Sequence, residues 1–269
     1  MNQEKTLKVA LIQSDLVWEN PAENRKRLEN KINSITDPVD LIVLPEMFTT
    51  GFTMNVAKVA ETMNGETVHW LQRLAQQKSA AITGSIVIKE KSSGTIENEA
   101  VYFNRLLFVH PSKKIDVYDK RHRFTLAGEQ NVFTSGNKKV IITYKGWKIC
   151  PLICYDLRFP VWARNIEKYD LLMYVASWPK PRIKAWKTLL KARAIENMSY
   201  TIGVNRVGVD SNNYQYNGKT ICYDALGNSM IKKSSTIETI FLVTLDKNAQ
   251  DKVREKLPFL EDSDTFTLL

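Results

Sequence analysis

Short apolar runs rich in branched residues alternate along the chain with stretches whose apolar residues recur at helical spacing. Lys8 to Gln13 reads as a strand. Asn20-Pro21-Ala22-Glu23 then reads as a helix start, with a capping Asn, a Pro in the first turn and an acid three residues after the cap. Leu28, Ile32 and Ile35 continue that helix. Leu41 to Leu44 is a continuous apolar run, expected as a buried strand. Thr67 to Lys78 is expected as a helix with Val68, Leu71, Leu74 and Ala75 on one side. Ala81 to Ile88 and Ala100 to Val109 read as strands around a polar turn at Lys89 to Thr95. Val140 to Tyr144 and Trp147 to Cys154 read as a hairpin turning at Lys145-Gly146, and Leu171 to Ala176 as another buried strand. Arg182 to Tyr200 is the longest expected helix, with Ile183, Trp186, Leu190 and Ala194 on one face. Ile202 to Val207, Lys219 to Asp224 and Ile237 to Leu245 follow as strands, and the polar tail from Asp246 is expected to wrap the surface or a partner.

This alternation predicts α/β layers. No Pro/Gly/Ser-rich linker interrupts it, so residues 1–269 read as one domain, with a core over about 6–245 and a tail over 246–269. There is one internal echo. Asp40-Leu41-Ile42 and Asp170-Leu171-Leu172 each open a buried strand after a helix, which fits two related halves or a chance similarity.

Composition adds exclusions. With 43% hydrophobic and 25% charged residues, the bulk of the 269-residue chain is not disordered. No apolar run approaches the ~20 residues of a membrane span. The four apolar residues Val9 to Ile12 fall short of the ~7–15 of a secretory signal. A cytoplasmic protein is expected, and three cysteines, an odd and low number, argue against a disulfide framework. The net charge of +9 raises nucleic acid as a partner, but no helix-turn-helix, zinc-finger or RNP pattern accompanies it. Glycine-rich phosphate loops, G-x-S-x-G and paired zinc ligands are absent too. Of the three histidines, His69 and His110 read as ordinary; His122 has the more suggestive setting.

Three segments carry candidate chemistry. In Leu41-Ile42-Val43-Leu44-Pro45-Glu46-Met47-Phe48, the Pro ends the strand and places Glu46 at its tip among apolar neighbours. Such a carboxyl suits a general base, or it is an idle loop Glu. The long unpatterned stretch Thr49 to Asn64 suggests a binding loop. In Tyr118-Asp119-Lys120-Arg121-His122-Arg123-Phe124, Lys120 either faces a developing negative charge or belongs to a solvated basic turn. In Ile149-Cys150-Pro151-Leu152-Ile153-Cys154-Tyr155-Asp156-Leu157-Arg158-Phe159-Pro160, Cys154 ends a strand, where its thiol can face a cleft and the Tyr155 N–H can serve an oxyanion. The alternative is a buried structural cysteine, a role that suits Cys150 better.

Together, in this order and at these separations, LPEMF, YDKRHRF and ICYDLRFP resemble the nitrilase superfamily of carbon–nitrogen hydrolases, as do KVALIQSD, KARAIENMSY and IGVNRVG. GFTMN, RFTLAGE and VASWPKPR are similar to bacterial omega-amidases, which act on 2-oxoglutaramate and related ω-amides. The resemblance implies a four-layer αββα sandwich of the nitrilase type and a homodimer. It implies a Glu46–Lys120–Cys154 triad, with Lys120 and the Tyr155 N–H holding the oxyanion. Glu129 matches a second family carboxylate, expected to orient Lys120 and the substrate amide nitrogen. Phe124 and Trp178 are expected as pocket walls, Tyr118 and His122 as loop supports, and Arg158 in a structural hydrogen-bonding role. No metal or organic cofactor, nucleic acid or membrane is implied; the partner is a small-molecule amide. The same triad also serves nitrilases, carbamoylases and other aliphatic amidases. A keto-acid substrate needs a cation for its carboxylate, which the sequence does not single out. Part of the charge excess falls in the Lys120 loop and part on Lys184, Lys187 and Lys191, a solvated face or a dimer rim. A modest positive field also favours anionic substrates.

Overall fold

A computed structural model describes residues 5–92 and 100–264. The first half holds β1 (Thr6–Gln13), α1 (Pro21–Asn33), β2 (Leu41–Val43), α2 (Val56–Val59), α3 (Glu66–Lys78), β3 (Ala81–Lys91), β4 (Ala100–Val109) and β5 (Ile115–Asp119). The second holds β6 (Ile142–Tyr144), β7 (Trp147–Ile153), α4 (Pro160–Ala163), β8 (Leu171–Ala176), α5 (Ile183–Glu196) and β9 (Tyr200–Asn205). It continues through β10 (Val207–Val209), β11 (Gln215–Asn217), β12 (Ile221–Tyr223), β13 (Thr239–Asp246) and α6 (Lys247–Lys256). One sheet runs β13-β1-β2-β3-β4-β5, the other β12-β9-β8-β7-β6, and β10 and β11 form a separate ribbon.

Strand periodicity builds the layers. Leu7, Val9 and Leu11 of β1, Leu41 and Val43 of β2, and Leu106 and Phe108 of β4 pack inward with the second sheet. Their neighbours Ala10, Ile12, Ile42, Leu107 and Val109 face the other way, onto Leu28 and Ile32 of α1 and Val68, Leu71 and Leu74 of α3. On the far side of the second sheet lie Trp186, Leu190 and Ala194 of α5. The order helix, sheet, sheet, helix is the expected αββα sandwich. Gly203 of β9 allows the close approach of α5, since a Cβ there would sit 2.4 Å from Leu190 Cδ1.

The internal echo is a repeated device. Asp40 accepts from the Lys8 N–H through Oδ2 at 2.8 Å and returns its own N–H to the Lys8 carbonyl. Asp170 does the same to Lys148, also at 2.8 Å. Each aspartate clips the start of a parallel strand to its neighbour, β2 to β1 and β8 to β7.

Most expected elements are present, and the hairpin turns at Lys145 and Gly146, both at positive φ. The long helix ends at Glu196 rather than Tyr200, because Met198 turns left-handed at φ 46 and Tyr200 opens β9. Strand β3 runs on to Lys91, through the first part of the expected polar turn; residues 93–95 lie outside the described set. The strand β5 and the ribbon were not anticipated. Within the tail, α6 starts on a cap by Asp246 and lies on the surface, its Lys247 and Arg254 binding Asp170.

Candidate active site

The three candidate segments meet where β2, β5 and β7 end. Glu46 is wholly buried and all its bonding capacity is organised. Oε1 accepts from Lys120 Nζ and Asn104 Nδ2, both at 2.9 Å, and Oε2 accepts from the Ser177 N–H at 2.8 Å. Glu129 is also buried and accepts from Lys120 Nζ through both oxygens at 2.9 Å. Its Oε2 accepts the Phe124 N–H at 2.5 Å, which ties a pocket wall to the charged cluster. Lys120 therefore sits between two carboxylates, Glu46 and Glu129. Strand β5 delivers Lys120, and Gly136 holds its end. The Gly136 N–H binds the Lys120 carbonyl at 2.9 Å, and a Cβ there would meet the Asp119 carbonyl oxygen at 2.1 Å.

Cys154 follows β7 at φ 42, a left-handed conformation costly for a side-chain residue. Met47, next to Glu46, is left-handed too, at φ 44. Cys154 opens a short 3-10 helix, Cys154–Arg158, so the Tyr155 N–H lies in the first turn, where amides lack intrahelical partners. Asp156 in that turn is a buried clip. Its Oδ2 accepts from the Ile153 N–H at 3.0 Å and the Tyr118 hydroxyl at 2.8 Å, and its Oδ1 from the His122 N–H at 2.9 Å. His122 Nδ1 lies 2.8 Å from the same oxygen, and the ring stacks on Phe159 at 3.7 Å. Tyr118 and His122 thus lock the lysine loop to the cysteine turn, the supporting role expected of them.

Electrostatics follow from burial. The Cys154 thiol is pushed well above its usual range by burial first and then by the Glu46 charge, with Lys120 opposing. Burial also raises the Glu129 carboxyl, against the pull of Lys120 and with the help of Glu46. Lys120 loses solvation, yet the carboxylates Glu129 and Glu46 outweigh that loss and hold its ammonium above the usual lysine range. Burial thus favours the thiol form of Cys154, and the two carboxylates favour the ammonium form of Lys120. Cys150 lies buried inside β7, its thiol pushed up to about 12, as a structural cysteine should be.

A cavity of about 210 Å³ opens over Cys154, Lys120 and Ser177. That is below the ~300–1,000 Å³ of a drug-sized site and suits a metabolite. Phe124 and Trp178 line it, together with Phe52 of the stretch Thr49 to Asn64 and with Tyr216. Arg158 departs from its expected structural role. It is exposed, lines the cavity and lies 5.0 Å over the Trp178 ring, because its turn points outward from the clip made by Asp156. Sequence reading also missed Asn104, Ser177 and Arg182. Asn104 shares its strand with the charged Arg105, so its amide does not stand out, and Ser177 acts through its backbone. Among the described residues no group of His, Cys, Asp and Glu is placed to hold a metal ion.

Residues 8–255 match the carbon-nitrogen hydrolase family, and the chain belongs to it. Omega-amidase YafV of Escherichia coli K12 is 41% identical over 262 residues, 97% of this chain and 98% of that protein. The 2-oxoglutaramate amidase of Bacillus subtilis is 30% identical over 258 residues, 94% of this chain and 96% of that one. Among solved structures, XC1258 of Xanthomonas campestris superposes with a TM-score of 0.91 at 38% identity, over 98% of this chain and 99% of that chain. It is a CN-hydrolase superfamily protein with an arsenic adduct in its active site.

Proposed function

We propose that the protein is an omega-amidase, hydrolysing the terminal amide of small ω-amides of dicarboxylic keto acids, of the 2-oxoglutaramate type, to acid and ammonia. The observation that carries this is a small cavity lined by Cys154 and Lys120, with Glu46 and Glu129 buried behind Lys120. The similarity to omega-amidases over nearly the whole chain supports the substrate class.

In this reading, Glu46 takes the Cys154 proton as the sulfur attacks the amide carbon, so that a thiolate forms only in the presence of substrate. The tetrahedral oxyanion is held by Lys120 and the Tyr155 N–H. An ammonium has three donors, and in the resting site Lys120 directs them at Glu46 and Glu129. Holding the oxyanion therefore requires one carboxylate contact to loosen, and the bidentate contact with Glu129 can give one oxygen while keeping the other. Glu46 next passes its proton to the departing nitrogen, ammonia leaves, and a thioester remains on Cys154. Glu46 then deprotonates water, whose oxygen attacks the thioester; the acid departs and Cys154 regains its proton.

Ammonia release from a panel of ω-amides, nitriles and N-carbamoyl compounds tests the reading. Turnover of the ω-amides is the expected result, and activity on nitriles or N-carbamoyl compounds alone overturns it. We also propose that the 269 residues act as one domain in the cytoplasm, an assignment that suits three free cysteines. We further propose that two copies pair through the outer helix layer, where Ile195 of α5 and nearby Leu226 are exposed. Light scattering at the mass of one 30.9 kDa chain would rule out pairing.

A further inference from the structure

The cavity contains three cations and no acid among its described lining residues. Lys120 is engaged by Glu46 and Glu129 behind the wall, so the charge an incoming ligand meets is that of Arg158 and Arg182. Neither has an ion pair among the described residues. The two differ in setting. Arg158 is exposed, on the turn after Cys154, and water screens it. Arg182 is half-buried, with its guanidinium 5.1 Å over the Phe124 ring. Its backbone is fixed as well. Pro179 and Pro181 stiffen the turn Lys180–Arg182, and the Trp178 Nε1–H donates to the Arg182 carbonyl at 2.8 Å. A partly desolvated, pre-positioned guanidinium with one face on an aromatic ring leaves its edge for a planar, bidentate acceptor.

We propose that Arg182 selects the substrate by its distal carboxylate: the guanidinium receives that carboxylate while Phe124 holds its face. This rests on the omega-amidase reading, and it limits the ligands to short ω-amides with an anionic far end. Uncharged amides of the same length reach Cys154 without this contact.

The test compares kcat/KM for glutaramate, which carries the carboxylate, with that for pentanamide, which replaces it with a methyl group. The protein should prefer glutaramate. Arg182→Met, which keeps an apolar stem on Phe124, should reduce that preference about 10- to 100-fold, the loss expected for a hydrogen bond to a charged group. Arg182→Lys should recover only part of it. Circular dichroism and retained turnover of pentanamide establish that the variants fold. An unchanged preference in Arg182→Met, or one abolished only in Arg158→Met, overturns the assignment to Arg182 while the omega-amidase reading stands. Equal loss on both amides also overturns it, as the mark of a structural role. A wild-type protein that favours pentanamide overturns both the reading and the assignment.

Discussion

Glu46, Lys120 and Glu129 form a buried unit in which no charge stands alone, and Asn104 completes it. The Asn104 amide gives one donor to Glu46 at 2.9 Å and points the other at Glu129 at 3.5 Å, while its carbonyl accepts the Lys120 N–H at 3.0 Å. Its own Oδ1 is buried without a partner, a cost that orients the NH2 toward the two carboxylates. Asn104→Ala should lower kcat about 10- to 100-fold by removing a hydrogen bond to a charged group. Unchanged steady-state kinetics in a folded variant would refute that role. A pH profile reads the same cluster. The Glu129 carboxyl lies above its ordinary 4.5, so kcat/KM should fall with decreasing pH through a midpoint above 4.5. Lys120 is held above its ordinary 10.5, so no loss from its deprotonation should occur below that pH. A profile flat to below 4.5 contradicts the first statement. The candidates Glu46, Lys120 and Cys154 were legible because Glu46 and Cys154 follow apolar strands and all three lie in distinctive segments in a telling order. Asn104 and Ser177 were not, because they meet Glu46 across 58 and 131 residues, and nothing local marks such a meeting.

Elements with strong periodicity were readable, and their ends were not. The apolar stripe of α5 continues past Glu196 in sequence, but a left-handed Met198 ends the helix. The alternation in Ile115–Asp119 spans only five residues, too short to stand out as a strand, although it carries Lys120 to the site. Helix α6 buries only Gln250, so its polar composition suggested a tail. Contact between elements is tested at Gly203. Gly203→Ala should cost about 1–3 kcal/mol in chemical denaturation through overpacking against Leu190, and Leu190→Ala in the same chain should recover part of it. Additive losses would show that the close approach does not matter. Asp156→Ala leaves the Tyr118, Ile153 and His122 donors without their acceptor, and should lower both melting temperature and activity. A variant as stable as the parent would show that the clip is dispensable.

At the scale of the whole molecule, alternation foretold α/β layers and the family resemblance foretold their αββα order, while the aspartate echo is the same clip built twice. The charge of +9 is divided between an outer helix face and the cavity. Lys184, Lys187 and Lys191 are exposed along α5, while Lys120, Arg158 and Arg182 converge on the cavity. Raising ionic strength should therefore depress kcat/KM for glutaramate more than for pentanamide, since screening weakens attraction to exposed cations. Equal salt dependence would remove the field from the account.

The proposed thioester on Cys154 can be caught by mass spectrometry of the intact protein quenched during turnover of a slow ω-amide. The expected result is an added mass equal to the acyl group, mapped to Cys154 and absent from Cys154→Ala. An adduct on Cys150 or Cys222, or turnover that persists in Cys154→Ala, would contradict it.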